Sequence, residues 1–422
     1  MTLQPTVDGT ASPPEDKSLP SVFGGAMIIA GTSIGAGMFS LPVISAGMWF
    51  GYGILLLLFA WYCMYSSGLM LLETNLHFAH GSSFDTHTRE TLGHWARIVN
   101  GLSVTFVLYI LTYAYVSGGS SILAYTLAET LGVNWPQWLC GLVFGLTLAA
   151  VVCISTRSVD RITTIMLAVM VICFAMAMVT MMDYVTPTAL LPADSISYWP
   201  YTFMALPFML TSFGYHGNVP SLVKYYQGNA QAVRQTLLYG SLIALACYIL
   251  WLTTSLGVLG RGNLPAIIAA GGNMGVVVGA IEAAVNNDSL QTVLKTFSNI
   301  AVASSFLGVT LGLFDYIADT FKFQDTASGR IKTALITFTP PIALGIIFPD
   351  GFIMAIGFAA IAATLFAVII PALMVIAARR KLGPTTYRVP GGWPRLIIVI
   401  LFGVLVILFH ILSIMKLLPQ FG

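Results

Sequence analysis

Apolar residues fall in eleven long windows along this 422-residue chain, at about 21–45, 48–76, 97–128, 136–156, 160–182, 198–226, 231–259, 290–320, 331–348, 351–378 and 394–415. A helix that crosses a bilayer needs about 20 such residues. The connections between windows are short, so the pattern predicts an all-α polytopic membrane protein of 11 transmembrane helices without a soluble domain. Two windows, the first and the sixth, break at nearly the same polar word. The first break is Thr32, Ser33, Ile34, Gly35, Ala36 and Gly37, followed by Pro42; the second runs from Thr211 through Ser212, Phe213, Gly214, Tyr215 and His216 to Gly217, followed by Pro220. Backbone without helical partners is too costly in lipid unless it lines a cavity inside the protein. A matched pair of Gly/Pro-interrupted spans is therefore the sequence signature of a secondary transporter's binding site.

Composition agrees with a chain whose solvent is lipid. Hydrophobic residues make up 57% of it and charged residues 8%, against about 25% charged in a soluble domain. Residues 1–20 carry Pro5, Pro13, Pro14 and Pro20 among mixed charges and read as a disordered tail without the marks of a cleaved signal. With the N-terminus in the cytoplasm, all of the 18 Lys and Arg except Arg261, Lys295 and Lys416 fall on the cytoplasmic side. Cytoplasmic loops are enriched in this way, and an odd number of spans then puts the C-terminus on the periplasmic side. A net charge of +2 asks for no nucleic-acid partner. The five cysteines all lie in apolar windows without metal-ligand spacing, which predicts buried free thiols.

The two broken windows stand five spans apart. Five is odd, so a second block of five crosses the membrane in the opposite sense. The expected organisation is an inverted repeat, with residues 21–182 as its first half, 198–378 as its second, and 394–415 as an additional helix.

This arrangement resembles the amino acid–polyamine–organocation superfamily, whose members share the leucine-transporter-like fold with helices 1 and 6 broken at the midplane. Four stretches narrow the resemblance: residues 31–42 (GTSIGAGMFSLP), 106–115 (FVLYILTYAY), 212–221 (SFGYHGNVPS) and 297–319 (FSNIAVASSFLGVTLGLFDYIAD). They are similar to the hydroxy and aromatic amino acid permeases of bacteria, nearest the tryptophan-specific branch. The resemblance implies a protein of the bacterial inner membrane. Its expected activity is import of an aromatic amino acid, tryptophan first and tyrosine as the alternative, in symport with protons through alternating access.

Each break exposes free N–H groups at one helix end and free carbonyls at another, which attract an anion and a cation respectively. A zwitterionic amino acid needs both. The expected carboxylate site is the backbone of Gly35, Ala36 and Gly37; the expected ammonium site is the carbonyls near Ala30, Gly31 and Phe213, with Thr32 and Ser33 nearby. Gly214, Tyr215, His216 and Asn218 complete the second break. Phe106, Tyr109 and Tyr113 share one face of span 3 and offer an aromatic stripe, although ordinary packing is the better account of such a stripe taken alone. Ser304 and Ser305 stand where sodium-coupled relatives of this fold place hydroxyl ligands, so the residues alone leave sodium open.

Ionisable residues within spans point to function. His216, with a reference pKa near 6.5, is the first candidate for a coupling proton; Glu73 and Asp315 are the others, with a structural ion pair as their alternative reading. No HExxH, Cys/His cluster or paired catalytic carboxylates occur, so neither an enzyme nor a cofactor or metal is expected. A channel would use rings of like residues, and a non-transporting sensor is the remote alternative. Residues 82–95 read as a short interfacial helix, and residues 262–288 as a long outer loop able to serve as a lid.

Overall fold

The computed structural model describes residues 20–80, 82–154, 156–191 and 197–421; the expected tail at 1–19 lies outside them. The described residues are helical: α1 (Val22–Ser33), α2 (Ser40–Ser45), α3 (Trp49–Asn75), α4 (Phe84–Leu92), α5 (His94–Leu131), α6 (Gln137–Ile154), α7 (Thr156–Met182), α8 (Thr202–Thr211), α9 (Val219–Tyr225), α10 (Ala230–Leu259), α11 (Leu264–Ala269), α12 (Met274–Val285), α13 (Asp288–Phe321), α14 (Ala327–Ile347), α15 (Phe352–Thr364), α16 (Ile370–Lys381) and α17 (Gly392–Ile414). Among the described residues nine helices are long and apolar enough to cross a membrane, counting α15 and α16 as one. The stretch 22–33 with 36–45, bent by 50°, makes a tenth. The expected sixth span is divided into α8 and α9, each too short to cross alone. The protein is thus a multi-pass, all-helical membrane protein.

Polar contacts sort the helix ends onto two faces. Where the described chain begins, the Tyr226 hydroxyl donates to the Ser21 carbonyl at 3.0 Å, Arg97 pairs with Asp85 at 2.8 Å, and Lys381 donates to the Thr91 carbonyl at 2.8 Å. This is the near face. On the far face Arg261 donates to the Ala46 and Gly47 carbonyls and lies 4.3 Å from the ring of Phe421, so the two ends of the described chain are on opposite faces. The interfacial helix expected at 82–95 is present as α4, started by Ser83 accepting from the Thr86 N–H and ended at Gly93 with φ 94°.

Small residues set the closest helix approaches. A Cβ at Gly240 of α10 would meet Ile29 and the Ala26 carbonyl of α1 at 2.5 and 2.6 Å. Prolines inside spans leave carbonyls without their helical donors, and neighbouring hydroxyls replace them. Pro340 frees the Ile336 carbonyl, which accepts from Tyr109 at 3.0 Å; Pro371 frees that of Ala367, which accepts from Ser67.

The far-face connection expected as an open loop contains α11 and α12. Gly275 and Gly279 seat α12 on α5: the Gly275 N–H donates to the Ser121 hydroxyl at 3.1 Å, and a Cβ at Gly279 would meet Tyr125 at 3.0 Å. Glu282, two turns on from Gly275, is buried; it accepts from the Tyr125 hydroxyl at 2.6 Å and faces Lys295 Nζ at 3.5 Å. Burial raises the Glu282 carboxyl above the usual carboxylate range, against the opposing pull of Tyr125 and Lys295. An acid whose pKa is higher when docked binds its proton more tightly in the docked state, so docking of α12 is favoured at low pH and weakens as pH rises from the ordinary carboxylate range to that raised value. Amide exchange across 274–285, corrected for intrinsic rates, should therefore quicken as pH rises above the ordinary carboxylate range of about 4. In Glu282→Gln it should stay slow throughout; wild-type protection that ignores pH rules this out.

Candidate functional site

The two breaks meet in the middle of the bundle. α1 runs through Ser33, so the Ala30 carbonyl is still inside the helix and accepts from the Ile34 N–H at 2.7 Å. Ala30 is thus not a free acceptor, in contrast to its place in the expected ammonium site; the opening begins with Gly31 and Thr32. Gly35 is extended (φ −162°), which any residue can adopt, and glycine is required there for another reason. A Cβ would strike the Ser305 hydroxyl, which accepts the Ala36 N–H at 3.1 Å. Of the expected pair Ser304 and Ser305, Ser305 therefore faces the break; Ser304 donates back to the Ala301 carbonyl in its own helix. No protein atom lies within 4 Å of a Cβ built on Gly37.

In the second break α8 ends at Thr211, and the chain turns at Ser212 to Tyr215 before restarting at Val219 and Pro220. The Phe213 carbonyl accepts from the Tyr215 N–H at 3.0 Å. Asn218 ties the breaks together, its amide donating to the Thr32 hydroxyl at 2.7 Å. Tyr215 and His216 turn away from this junction. Tyr215 packs on Gly68 and donates to the Met64 carbonyl of α3 at 3.2 Å, and His216 stacks on it with centroids 4.8 Å apart. Both His216 ring nitrogens are buried without a hydrogen-bond partner of ordinary geometry among the described residues.

The span 3 stripe serves the scaffold. Tyr109 caps the carbonyl freed by Pro340, Tyr113 donates to Phe348 at the end of α14 at 2.8 Å, and Phe106 is exposed. Glu73 is buried and fully engaged: Arg379 donates to both carboxylate oxygens at 2.6 and 2.8 Å, and the Val389 N–H adds a third bond at 2.6 Å. The structure therefore brings Glu73 to α16 and the segment after it, not to the breaks. Asp315 is exposed, with no ion-pair partner among the described residues.

Two aromatic residues of α10 were not singled out by the sequence reading. Tyr248, fully buried, donates toward the Ser33 carbonyl at 2.5 Å and the Ser212 carbonyl at 2.7 Å, joining both breaks. One turn on, Trp251 donates to the Met38 carbonyl at 2.9 Å and meets Phe39 edge-on at 5.4 Å. Phe297 closes the cluster at 5.5 Å from both Phe39 and Phe174. An aromatic pair at i and i+3, above the small residues Gly240 and Ser241, is the signal that would have found them.

Access to the junction is one-sided. Phe39, Trp251 and Phe297, toward the far face, are fully buried, whereas Thr32, Gly214 and Gly217 are exposed. Exposure continues toward the near face along Ile28 and Gly24 of α1 and along Gly308, Gly312 and Asp315 of α13. A separate groove of about 430 Å³ between α6 and α14, lined by Leu146, Leu335 and Phe338 among others, is apolar and offers no partner for charged groups.

The sequence profile of the tryptophan/tyrosine permease family matches residues 18–410. The chain belongs to this family. It is 53% identical over 405 residues to the tryptophan-specific transport protein of Pseudomonas aeruginosa, covering 95% of this chain and 97% of that one. It is 50% identical over 404 residues to the tryptophan-specific transport protein of Shigella flexneri, with 95% and 97% covered. A tyrosine permease of Enterobacter agglomerans is 41% identical over 414 residues, with 96% and 99% covered. The chain is accordingly a transport protein and not an enzyme, and the broken helices are the part of this permease that differs from plain membrane scaffold.

The contact between Gly35 and Ser305 gives a direct test of how the first break is held. Gly35→Ala should destabilise the permease by about 1–3 kcal/mol through overpacking. Gly35→Ala with Ser305→Ala removes the struck oxygen and leaves the two Cβ atoms at 3.6 Å, an ordinary contact. Thermal unfolding in detergent should show the double variant more stable than Gly35→Ala alone; strictly additive losses would mean the two do not touch.

Proposed function

We propose that this permease imports L-tryptophan in symport with protons, by alternating access around the two breaks. The observation that carries the reading is the convergence of both interrupted helices on one junction that is open toward a single face. A static pore would be open to both faces, and a packed core to neither. Family membership and the tryptophan-specific transport proteins at 50% identity or more support tryptophan as the substrate. The tyrosine permease at 41% makes a general aromatic carrier the competing reading.

In this reading the chain crosses the inner membrane 11 times, with α1–α2 and α8–α9 as the broken first and sixth spans of a leucine-transporter-like 5+5 inverted repeat. Residues 21–182 and 198–378 are its halves, and 394–415 is the added helix. The near face is cytoplasmic, so the N-terminus is inside, the C-terminus is periplasmic, and the open junction faces inward. The substrate carboxylate lies against the backbone of Gly35, Ala36 and Gly37. Its ammonium meets the carbonyl ends of α1 and α8, where Gly31 and Thr32 have no backbone donor among the described residues. The indole occupies the space beside Gly37, Gly214 and Gly217. His216 carries the coupling proton: it is buried in the second break, and neither ring nitrogen has a hydrogen-bond partner of ordinary geometry among the described residues. Glu73, held by Arg379, is the weaker candidate, and Asp315 lies along the inward path.

Purified protein in liposomes should accumulate labelled tryptophan under an inward proton gradient without sodium, and excess tyrosine should compete poorly. A strict sodium requirement would overturn proton coupling, and strong tyrosine competition would make this a general aromatic carrier. Gly37→Val, whose Cβ meets no neighbouring atom within 4 Å, should lose tryptophan binding while remaining folded. Wild-type affinity in that variant would remove the carboxylate site. His216→Gln should keep tryptophan–tryptophan exchange and lose gradient-driven accumulation. Undiminished accumulation in that variant would take the proton elsewhere.

A further inference from the structure

Tyr248 lies in neither break, yet its hydroxyl is the point at which both end. Ser33 closes α1, and Ser212 is the residue after the last turn of α8. Their carbonyls belong to the negative ends of two helix dipoles. Both come within hydrogen-bond distance of one oxygen, at 2.5 and 2.7 Å. A tyrosine hydroxyl has one proton to donate. It can satisfy one carbonyl well, or share the proton poorly between two. Two negative helix ends therefore converge with one donor too few, in a place where an unmet acceptor is costly.

The deficit lies beside the open side of the junction. Thr32, next to Ser33, and Gly214, two residues after Ser212, are both exposed. The Tyr248 ring cannot leave easily: it is fully buried and meets Phe213 edge-on at 5.5 Å. Its helix also grips the other half of the first break through Trp251 and Met38. α10 thus fixes where the two carbonyls point.

Building on the amino acid substrate proposed above, we propose that Tyr248 is a positioning residue for the substrate's ammonium group. Its hydroxyl holds the Ser33 and Ser212 carbonyls at a common point, and the ammonium, with three donors, supplies the protons that the single hydroxyl lacks. The group recognised is a primary ammonium; carboxylate and indole are held elsewhere. Tyr248 acts through the carbonyls it gathers as well as through its own lone pairs, so its removal spreads the acceptors apart without closing the route to them.

The test compares Tyr248→Phe, which keeps the ring and loses the hydroxyl, and Tyr248→His, which restores a donor with shorter reach, in proteoliposomes. Uptake kinetics are measured for tryptophan, with tryptophan methyl ester (ammonium intact) and N-acetyltryptophan (ammonium blocked) as competitors. The KM of Tyr248→Phe should rise by about tenfold or more, the loss of a hydrogen bond to a charged group, with maximal rate nearly kept and Tyr248→His in between. The preference for the methyl ester over N-acetyltryptophan should shrink in step. An unchanged KM, a fall in maximal rate alone, an unchanged preference between the two competitors, or failure of both variants to fold would each make Tyr248 a packing residue and overturn the proposal. Wild-type protein that does not take up tryptophan, or a Gly37→Val variant that binds it normally, would instead remove the reading on which this one rests.

Discussion

Every feature of this permease follows from one constraint: a peptide group that loses its helical partner inside the membrane must find another within the protein. The chain frees such groups in two ways. Pro340 in α14 and Pro371 in α16 each remove one donor, and the carbonyls they orphan accept a hydroxyl from a neighbouring helix, Tyr109 for Ile336 and Ser67 for Ala367. The breaks free whole helix ends, and there the replacement is incomplete. Ser305 takes the Ala36 N–H and Tyr248 reaches Ser33 and Ser212, but the acceptors outnumber the donors. Scaffold and site differ in that respect: satisfied irregularities hold the bundle together, and unsatisfied ones create demand for a ligand.

That distinction also explains which residues the sequence made legible. The apolar windows gave nearly every helix, because lipid imposes a length and a composition that soluble folds do not. The breaks were readable because Gly and Pro are tolerated in a span only where something re-satisfies the backbone. What could not be read was the direction of side chains. Tyr109 and Tyr113 share a face as expected, but that face points to α14, whose prolines and C-terminal turn need donors. Ser304 and Ser305 differ by one residue, about 100° around a helix, and composition cannot choose between them. Tyr248 was missed because nothing in its own span is broken; its importance lies wholly in the two other helices that end beside it.

Ionisable residues show the same division. Glu73 looked like a coupling group because a carboxylate in a span is expensive. Arg379 and the Val389 N–H offset that expense locally, and Arg379 lies far along the chain, beyond the reach of any local pattern. Glu282 fell in what read as a loop, yet α12 buries it against α5 and α13. Within the breaks His216 is an ionisable group without a hydrogen-bond partner of ordinary geometry among the described residues, which is why proton coupling is proposed for it and not for the paired Glu73.

Under alternating access the far-side seal must come apart, and its composition sets the scale of that step. α1, the second break and α3 are tied to α10 or to each other through Gly240, Tyr215 and Trp61, the last donating to Ser241 at 3.0 Å. Phe297 of α13 and Phe174 of α7 belong to the opposing set of helices. The seal between the two sets therefore includes the contact of Phe39 and Trp251 with Phe297. Such aromatic pairs are worth about 0.5–1.5 kcal/mol each beyond the area they bury, and parting them also exposes that buried apolar area. The compensation has to come from closing the near side, where Thr32, Gly214, Gly217 and Ile28 are exposed and would become buried. Substrate fits this balance as the missing donor: with the carbonyl ends of α1 and α8 satisfied, bringing the two sets together around the junction no longer buries an unmet acceptor. In the proposed mechanism the empty site thereby resists full closure on both sides, and the occupied one permits it.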